Sequence, residues 1–146
     1  MSATIAKAIT QKLLGLMGVE SEVIIQSEEP VYLNVESKDS ALLIGKGGES
    51  LRSLQFIINN MYHRTSGEEG YVGIDIAGYK KERVEKVQGL AQELSQKVLD
   101  TGHEEHLKPM NSFERRSVHT LLANEPDIVT DSEGEGESRH VVIRKR

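Results

Sequence analysis

The sequence predicts an α+β protein built as two small units in series, and three features predict it. Segments with apolar residues at spacings of three and four alternate with short segments whose apolar residues recur at every second position. Those are the periods of a half-buried helix and a half-buried strand. Glycines and polar clusters mark the boundaries between them, and a length of 146 residues permits one ordinary domain or two small ones.

The elements follow in order. Ile5, Ile9, Leu13, Leu16 and Met17 place an amphipathic helix at the start, stopped by Gly18. Val23-Ile24-Ile25 is a short apolar strand, and Ser27-Glu28-Glu29-Pro30 a turn. Val31, Leu33 and Val35 then alternate with Tyr32, Asn34 and Glu36 in a half-buried strand. Ser40 to Ile44 reads as a short helix, and Leu51, Leu54, Ile57, Ile58 and Met61 stripe a longer one to about Arg64. After the polar run from Thr65 to Gly70, a third strand puts Val72, Ile74 and Ile76 on one face.

A long helix is predicted from about Tyr79 to Thr101, with Val84, Val87, Ala91, Leu94 and Val98 as its apolar stripe and Gly102 at its end. Asn111 and Glu114 are spaced as a capping box for a further helix. Ile128-Val129 and His140-Val141-Val142-Ile143 read as strands around a loop rich in glycine and glutamate. The stretch after Gly102, about 40 residues, is too short to hold a core alone without disulfides or metal. It is therefore expected to pack on the long helix.

Chemistry concentrates in Leu42-Leu43-Ile44-Gly45-Lys46-Gly47-Gly48. Glycines at this spacing, a lysine between them and a helix start behind them let backbone approach a phosphate. The mononucleotide loop G-x-x-x-x-G-K-[ST] is absent, and the dinucleotide fingerprint G-x-G-x-x-G fails at Ser50. The G-x-x-G loop of KH domains, which clamps about four backbone nucleotides, fits between two helices. On that reading Ile44, Gly45, Lys46, Gly47 and Gly48 are ligand contacts, and Arg52, one turn into the helix, is a second phosphate contact. The plainer alternative is a helix–helix turn with two surface charges.

The order α-β-β-α-α-β resembles the prokaryotic form of the KH domain over residues 1–77. Asn111-Ser112-Phe113-Glu114-Arg115-Arg116-Ser117-Val118-His119, with Ser132-Glu133-Gly134 and Arg139-His140-Val141-Val142-Ile143, resembles the domain named for its Arg-x-x-x-His pair, R-three-H, over 103–146. A connecting helix fills 78–102. This arrangement, with Asp75 and Gly78-Tyr79 at the junction, resembles the bacterial Jag family, also called SpoIIIJ-associated proteins, over nearly the whole chain.

The resemblance implies an RNA-binding regulatory protein, with single-stranded RNA as the chief ligand and single-stranded DNA as an alternative. It also implies a cytoplasmic place, a link to cell shape or division, and a small stand-alone KH protein as a partner. Arg115, Arg116, His119 and Arg139 are the nucleic-acid candidates of the second domain. Arg115 and His119, four apart and so on one helix face, can equally hydrogen-bond within their own domain. Three departures stand out. The chain begins directly at the first KH helix, without the extra N-terminal domain that family members often carry. Gly47 occupies a loop position that is often basic, which leaves Lys46 as the loop's only charge and predicts salt-sensitive clamping. Gly136-Glu137-Ser138 stands where relatives tend to have a proline and an aromatic.

Composition bounds the rest. The net charge of −5 opposes tight, sequence-blind binding to duplex DNA. Yet glutamates gather in turns while cations gather at Lys80-Lys81-Arg83, Arg115-Arg116, Arg139 and Arg144-Lys145-Arg146, and exposed charges beyond about 8–10 Å are screened. Lys80, Lys81 and Arg83 read mainly as the wet face of a helix. No cysteine is present, no run is long enough to span a membrane, and no signal-peptide pattern opens the chain, so a soluble, cytoplasmic protein is expected. His103-Glu104-Glu105-His106 is not a zinc motif, because H-E-x-x-H needs its histidines four apart on a helix. No metal, cofactor or catalytic residue is expected, and the protein is not read as an enzyme. The oligomeric state stays open. The alternatives are a protein-interaction adapter using the KH surface for dimerisation or partner docking and, more remotely, a nucleotide-dependent enzyme.

Overall fold

The structure, a computed structural model, describes residues 2–146. The chain divides into two compact units, Met1–Lys80 and Lys81–Arg146.

The first unit contains α1 (Ser2–Leu16), β1 (Glu22–Glu28), β2 (Val31–Glu36), α2 (Ser40–Ile44), α3 (Glu49–Ser66) and β3 (Gly73–Ile76), the order expected from the sequence. The sheet runs β1-β2-β3. β1 pairs antiparallel with β2, Val23 opposite Val35, and β2 pairs parallel with β3, Leu33 opposite Ile74 and Val35 opposite Ile76. A parallel pair cannot be closed by a hairpin, and α2 with α3 supplies the crossover. Leu14, Leu33, Leu51, Ile58, Ile74 and Ile76 form the centre of the core.

Two stripes differ from expectation. On α1, Leu16 is largely exposed, as is Met17 just past its end, and Ala3, Ala6, Ile9 and Leu14 face inward. On α3, Ile57 is exposed while Gln55 and Tyr62 are buried. The reason lies in the edge strand β3. Gln55 Oε1 accepts from the Ile74 amide at 2.8 Å, and its Nε2 donates to the Val72 carbonyl. Asn59 makes a reciprocal pair with Val72, accepting from its amide and donating to its carbonyl at 2.9 Å each. Backbone groups on an unpaired strand edge need partners, and two amides of α3 provide them. All four residues of β3 are buried rather than alternating. That includes Asp75, whose Oδ1 accepts from the amides of Ile76 at 2.8 Å and Lys80 at 2.9 Å.

The second unit contains nearly all of α4 (Tyr79–Thr101), then β4 (Glu105–His106), α5 (Ser112–Leu122), β5 (Ile128–Glu133) and β6 (His140–Lys145). Its sheet runs β4-β6-β5 with antiparallel pairs. Ala91 and Val98 of α4 are fully buried with Leu107, Val118, Leu122, Ile128, Val141 and Ile143. The long helix is therefore a wall of the second core rather than a connector outside it. β4 is a two-residue strand that no apolar alternation in the sequence marks.

The basic run at the start of α4 is not simply a wet face. Lys80 is half-buried, with Nζ 3.3 Å from Gln55 Oε1. Burial pushes its amine below the usual lysine range, and Asp75 opposes that shift. Arg83 Nε lies 2.6 Å from Oε1 of Glu114, a carboxylate with only 3% of its side chain exposed. That approach is off-line for a hydrogen bond, and Arg83 Nη2 donates to the other oxygen, Glu114 Oε2, at 3.4 Å. Sequence periodicity could not show either partner, because each sits on a different helix from the cation.

Replacing Gln55 with alanine removes partners from buried backbone groups, at a cost of about 1–3 kcal/mol. Amide hydrogen exchange should speed up at Ile74 roughly 10- to 100-fold, while Val72, still held by Asn59, changes less.

Candidate functional site

The loop between α2 and α3 is shaped by backbone demands. Gly45 has φ 71° and ψ −179°, a region open essentially to glycine alone. A Cβ there would also lie 3.0 Å from the Ser50 backbone nitrogen. Gly48, at φ 80° and ψ 15°, is the N-cap of α3, and a Cβ on it would press within 3.1 Å of the Tyr79 ring. Gly47 faces open space. Lys46 through Gly48 form a single 3-10 turn.

The consequence is a bare helix start. No side chain caps the first turn of α3; the Gly48 and Glu49 amides turn back to the Gly45 and Lys46 carbonyls instead, and only the amides that follow are left to solvent or a ligand. Lys46 and Arg52 are both exposed, and neither has an ion-pair partner among the described residues. Ile44 is half-buried and packs on the core, which anchors the loop from beneath. The five loop residues singled out by sequence, with Arg52, therefore lie in one short segment. Glu49 adds one negative charge in the same turn.

In the second unit, α5 is held at its start. Asn111 Oδ1 accepts from the Glu114 amide at 2.9 Å, and the Glu114 carboxylate accepts from the Asn111 amide at 3.2 Å, completing the expected capping box. Glu114 is thus both cap and partner of Arg83. Removing the arginine leaves a buried carboxylate without its cation, a change that commonly costs about 3–5 kcal/mol.

His119 bridges α5 to β5. Its Nδ1 lies 2.8 Å from Thr130 Oγ1 and its Nε2 2.9 Å from Ser132 Oγ. Burial pushes its pKa below the usual histidine range; Asp131 opposes this, and Arg115 and Arg139 reinforce it. Both ring nitrogens are engaged within the fold, and the ring is neutral near pH 7. Thr130 and Ser132 were missed by sequence reasoning. Their spacing of two puts them on one strand face, but nothing in the sequence says which helix that face meets.

Arg115 donates to the Met110 carbonyl at 2.7 Å, and the Met110 amide in turn donates to the Arg139 carbonyl at 3.2 Å. Arg139 donates from Nη1 to the Gly134 carbonyl at 2.8 Å. These neutral acceptors orient both guanidinium groups without cancelling their charge. Arg116 is exposed, with no ion-pair partner among the described residues. Arg144 differs, because it is ion-paired with Glu104, Asp131 and Glu133. The structure therefore brings Arg115, His119 and Arg139 together and sets Arg144 apart among carboxylates.

A histidine whose folded pKa is depressed favours the fold while neutral, and that contribution is lost as pH falls through the folded value. The thermal midpoint of the chain should therefore drop on acidification below about pH 6.5. A His119→Gln variant, which keeps hydrogen-bonding capacity, should show a flatter profile over the same interval in calorimetry.

Comparison with known proteins places this geometry in a family. Residues 85–145 match the model of the R-three-H domain, which reaches back into α4 as the second core does. A protein of Bacillus subtilis (strain 168), described as RNA-binding protein KhpB, is 35% identical over 141 residues, covering 94% of this chain and 68% of the relative. Proteins of the same description from Clostridium symbiosum and Streptococcus pneumoniae serotype 2 are 36% and 28% identical, over 81% and 97% of this chain. The chain spans 53% and 43% of the length of those two relatives. No helix among the described residues is long and apolar enough to cross a membrane. On the strength of these matches the chain belongs to the Jag family, the family of the KhpB proteins, and carries its R-three-H domain.

Proposed function

We propose that this protein binds single-stranded RNA, with single-stranded DNA as a second substrate of the same chemistry. Residues 1–77 act as a prokaryotic-type KH domain, and the R-three-H domain, over 103–146, adds phosphate contacts. The observation that carries this reading is the open start of α3. Gly47, where a Cβ would meet nothing within 4 Å, leaves room for a strand to approach, no side chain caps the turn, and Lys46 and Arg52 lack acidic partners among the described residues. The description of the relatives as RNA-binding supports the choice of ligand. In the second unit Arg115, Arg116 and Arg139 are the phosphate contacts. His119, neutral and tied to Thr130 and Ser132, serves by holding α5 in place. The role is regulatory rather than catalytic. A cytoplasmic place, a link to cell shape or division and a small stand-alone KH partner belong to the same reading and rest on family resemblance.

A second reading has one observation in its favour. Leu42, Phe56 and Ile57 of the first unit are 73%, 71% and 43% exposed, which suits an adapter that docks or dimerises through that surface. Fluorescence anisotropy of a labelled single-stranded RNA separates the two. Gly47→Asp adds a negative charge where a Cβ meets nothing within 4 Å, and aspartate tolerates a left-handed backbone better than most residues. Affinity should fall at least about tenfold with an unchanged circular dichroism spectrum. For three or four neutralised phosphates, log affinity should fall with log salt at a slope near −2 to −3. Equal binding by both proteins would move the ligand site to the second domain, and no binding by either would favour the adapter.

A further inference from the structure

Outside the proposed RNA interface, the outer face of the second sheet gathers metal-ligating side chains that no sequence motif unites. His140 lies directly opposite Glu133 in the β5–β6 ladder, and His106 lies opposite Val142 on the other side of β6. Residues two apart on a strand share a face, so His106, His140 and Glu133 project together from three adjacent strands. One donor atom from each lies within 4.8 Å of the others. We infer that these three residues form a binding site for a borderline divalent cation, zinc foremost.

Hydrogen bonding fixes which nitrogens face the site. His140 Nδ1 is 2.9 Å from the Ser138 carbonyl oxygen, which only accepts, so the proton of the neutral ring sits on Nδ1. His106 Nε2 is 3.0 Å from a Glu104 carboxylate oxygen, which likewise accepts. The two remaining nitrogens, His106 Nδ1 and His140 Nε2, face one another at 3.0 Å. In the neutral rings each carries a lone pair, and two lone pairs at that distance repel unless a cation lies between or beside them. Zinc–nitrogen bonds of about 2.0–2.1 Å in a tetrahedral shell separate two nitrogens by roughly 3.3 Å, so the rings need part only by a few tenths of an ångström.

The surroundings suit a metal. Ligating histidines usually donate their distal N–H to a carboxylate or a backbone carbonyl, and Glu104 and Ser138 supply one of each. Arg144 grips Glu133 together with Glu104 and Asp131, which orients the carboxylate. Three carboxylates against one guanidinium leave the face acidic, favourable to a cation and hostile to a phosphate strand. Two imidazoles and a carboxylate match the donor preference of zinc more closely than that of magnesium or calcium, which prefer all-oxygen shells. His106 is exposed and its partners half-buried, so a cation can enter.

The test is isothermal titration of the tag-free chain with zinc chloride, alongside His106→Ala, His140→Ala, Glu133→Gln and His103→Ala. About one equivalent of zinc should bind, and the thermal midpoint should rise by several degrees at saturating metal. Both cluster-histidine variants should lose at least about tenfold in affinity, Glu133→Gln should lose less, and His103→Ala, outside the cluster, should match the parent. Circular dichroism checks each fold, and the isosteric Glu133→Gln keeps the test decisive if a histidine variant unfolds. Absence of saturable zinc binding would overturn the proposal in favour of a proton shared between the rings. So would binding that survives both His140→Ala and Glu133→Gln in folded protein.

Discussion

Every helix begins with backbone N–H groups that have no partner inside the helix, and how each start is satisfied organises this protein. Asp75, buried at the end of β3, accepts from Lys80 and so closes the start of α4. Asn111 and Glu114 close the start of α5 with a reciprocal pair. α3 begins on glycines that offer no side chain. The two capped starts fix structure, whereas the start of α3 has no side-chain cap. Charge follows the same division. The carboxylates at the closed starts are engaged with backbone or with Arg83, whereas Lys46 and Arg52, near the start of α3, have no ion-pair partner among the described residues.

The second sheet is two-sided in a comparable way. Thr130 and Ser132 face α5 and receive His119, and Val141 and Ile143 complete that side of the core. The alternate residues, Asp131, Glu133, His140 and Arg144, turn outward, where Arg144 is absorbed by acidic neighbours. A one-residue slip in the β5–β6 register would exchange the two sets entirely. The pairing of Glu133 with His140 and of Ser132 with Val141 thus decides which residues join the core beneath α5 and which charged side chains turn outward. A net charge of −5 is compatible with an anionic ligand because the charges are sorted by face and by turn, and screening confines each to its own neighbourhood.

Much of the fold was legible before any packing was known. The order of elements, the bounds of the long helix, the capping box and the glycine loop all depend on interactions within a few residues: periodicity, backbone freedom and local hydrogen bonds. The family match over the R-three-H half agrees with the motif from Asn111 to His119. The departures lie where a side chain answers something distant. Gln55 is buried because the edge of β3 needs its amide, and Ile57 yields the inward place. Arg83 turns inward far enough to meet Glu114, which is buried on another helix. His106 meets His140 because β4 and β6 are neighbours, although 34 positions separate the two rings. The elements, their order and the shape of the phosphate-sized loop follow from local propensity, so residues read in succession were enough to find them. Which polar groups are engaged inside and which remain free depends on hydrogen bonds and ion pairs between separate elements, and these exist only once packing and strand register have brought the partners together.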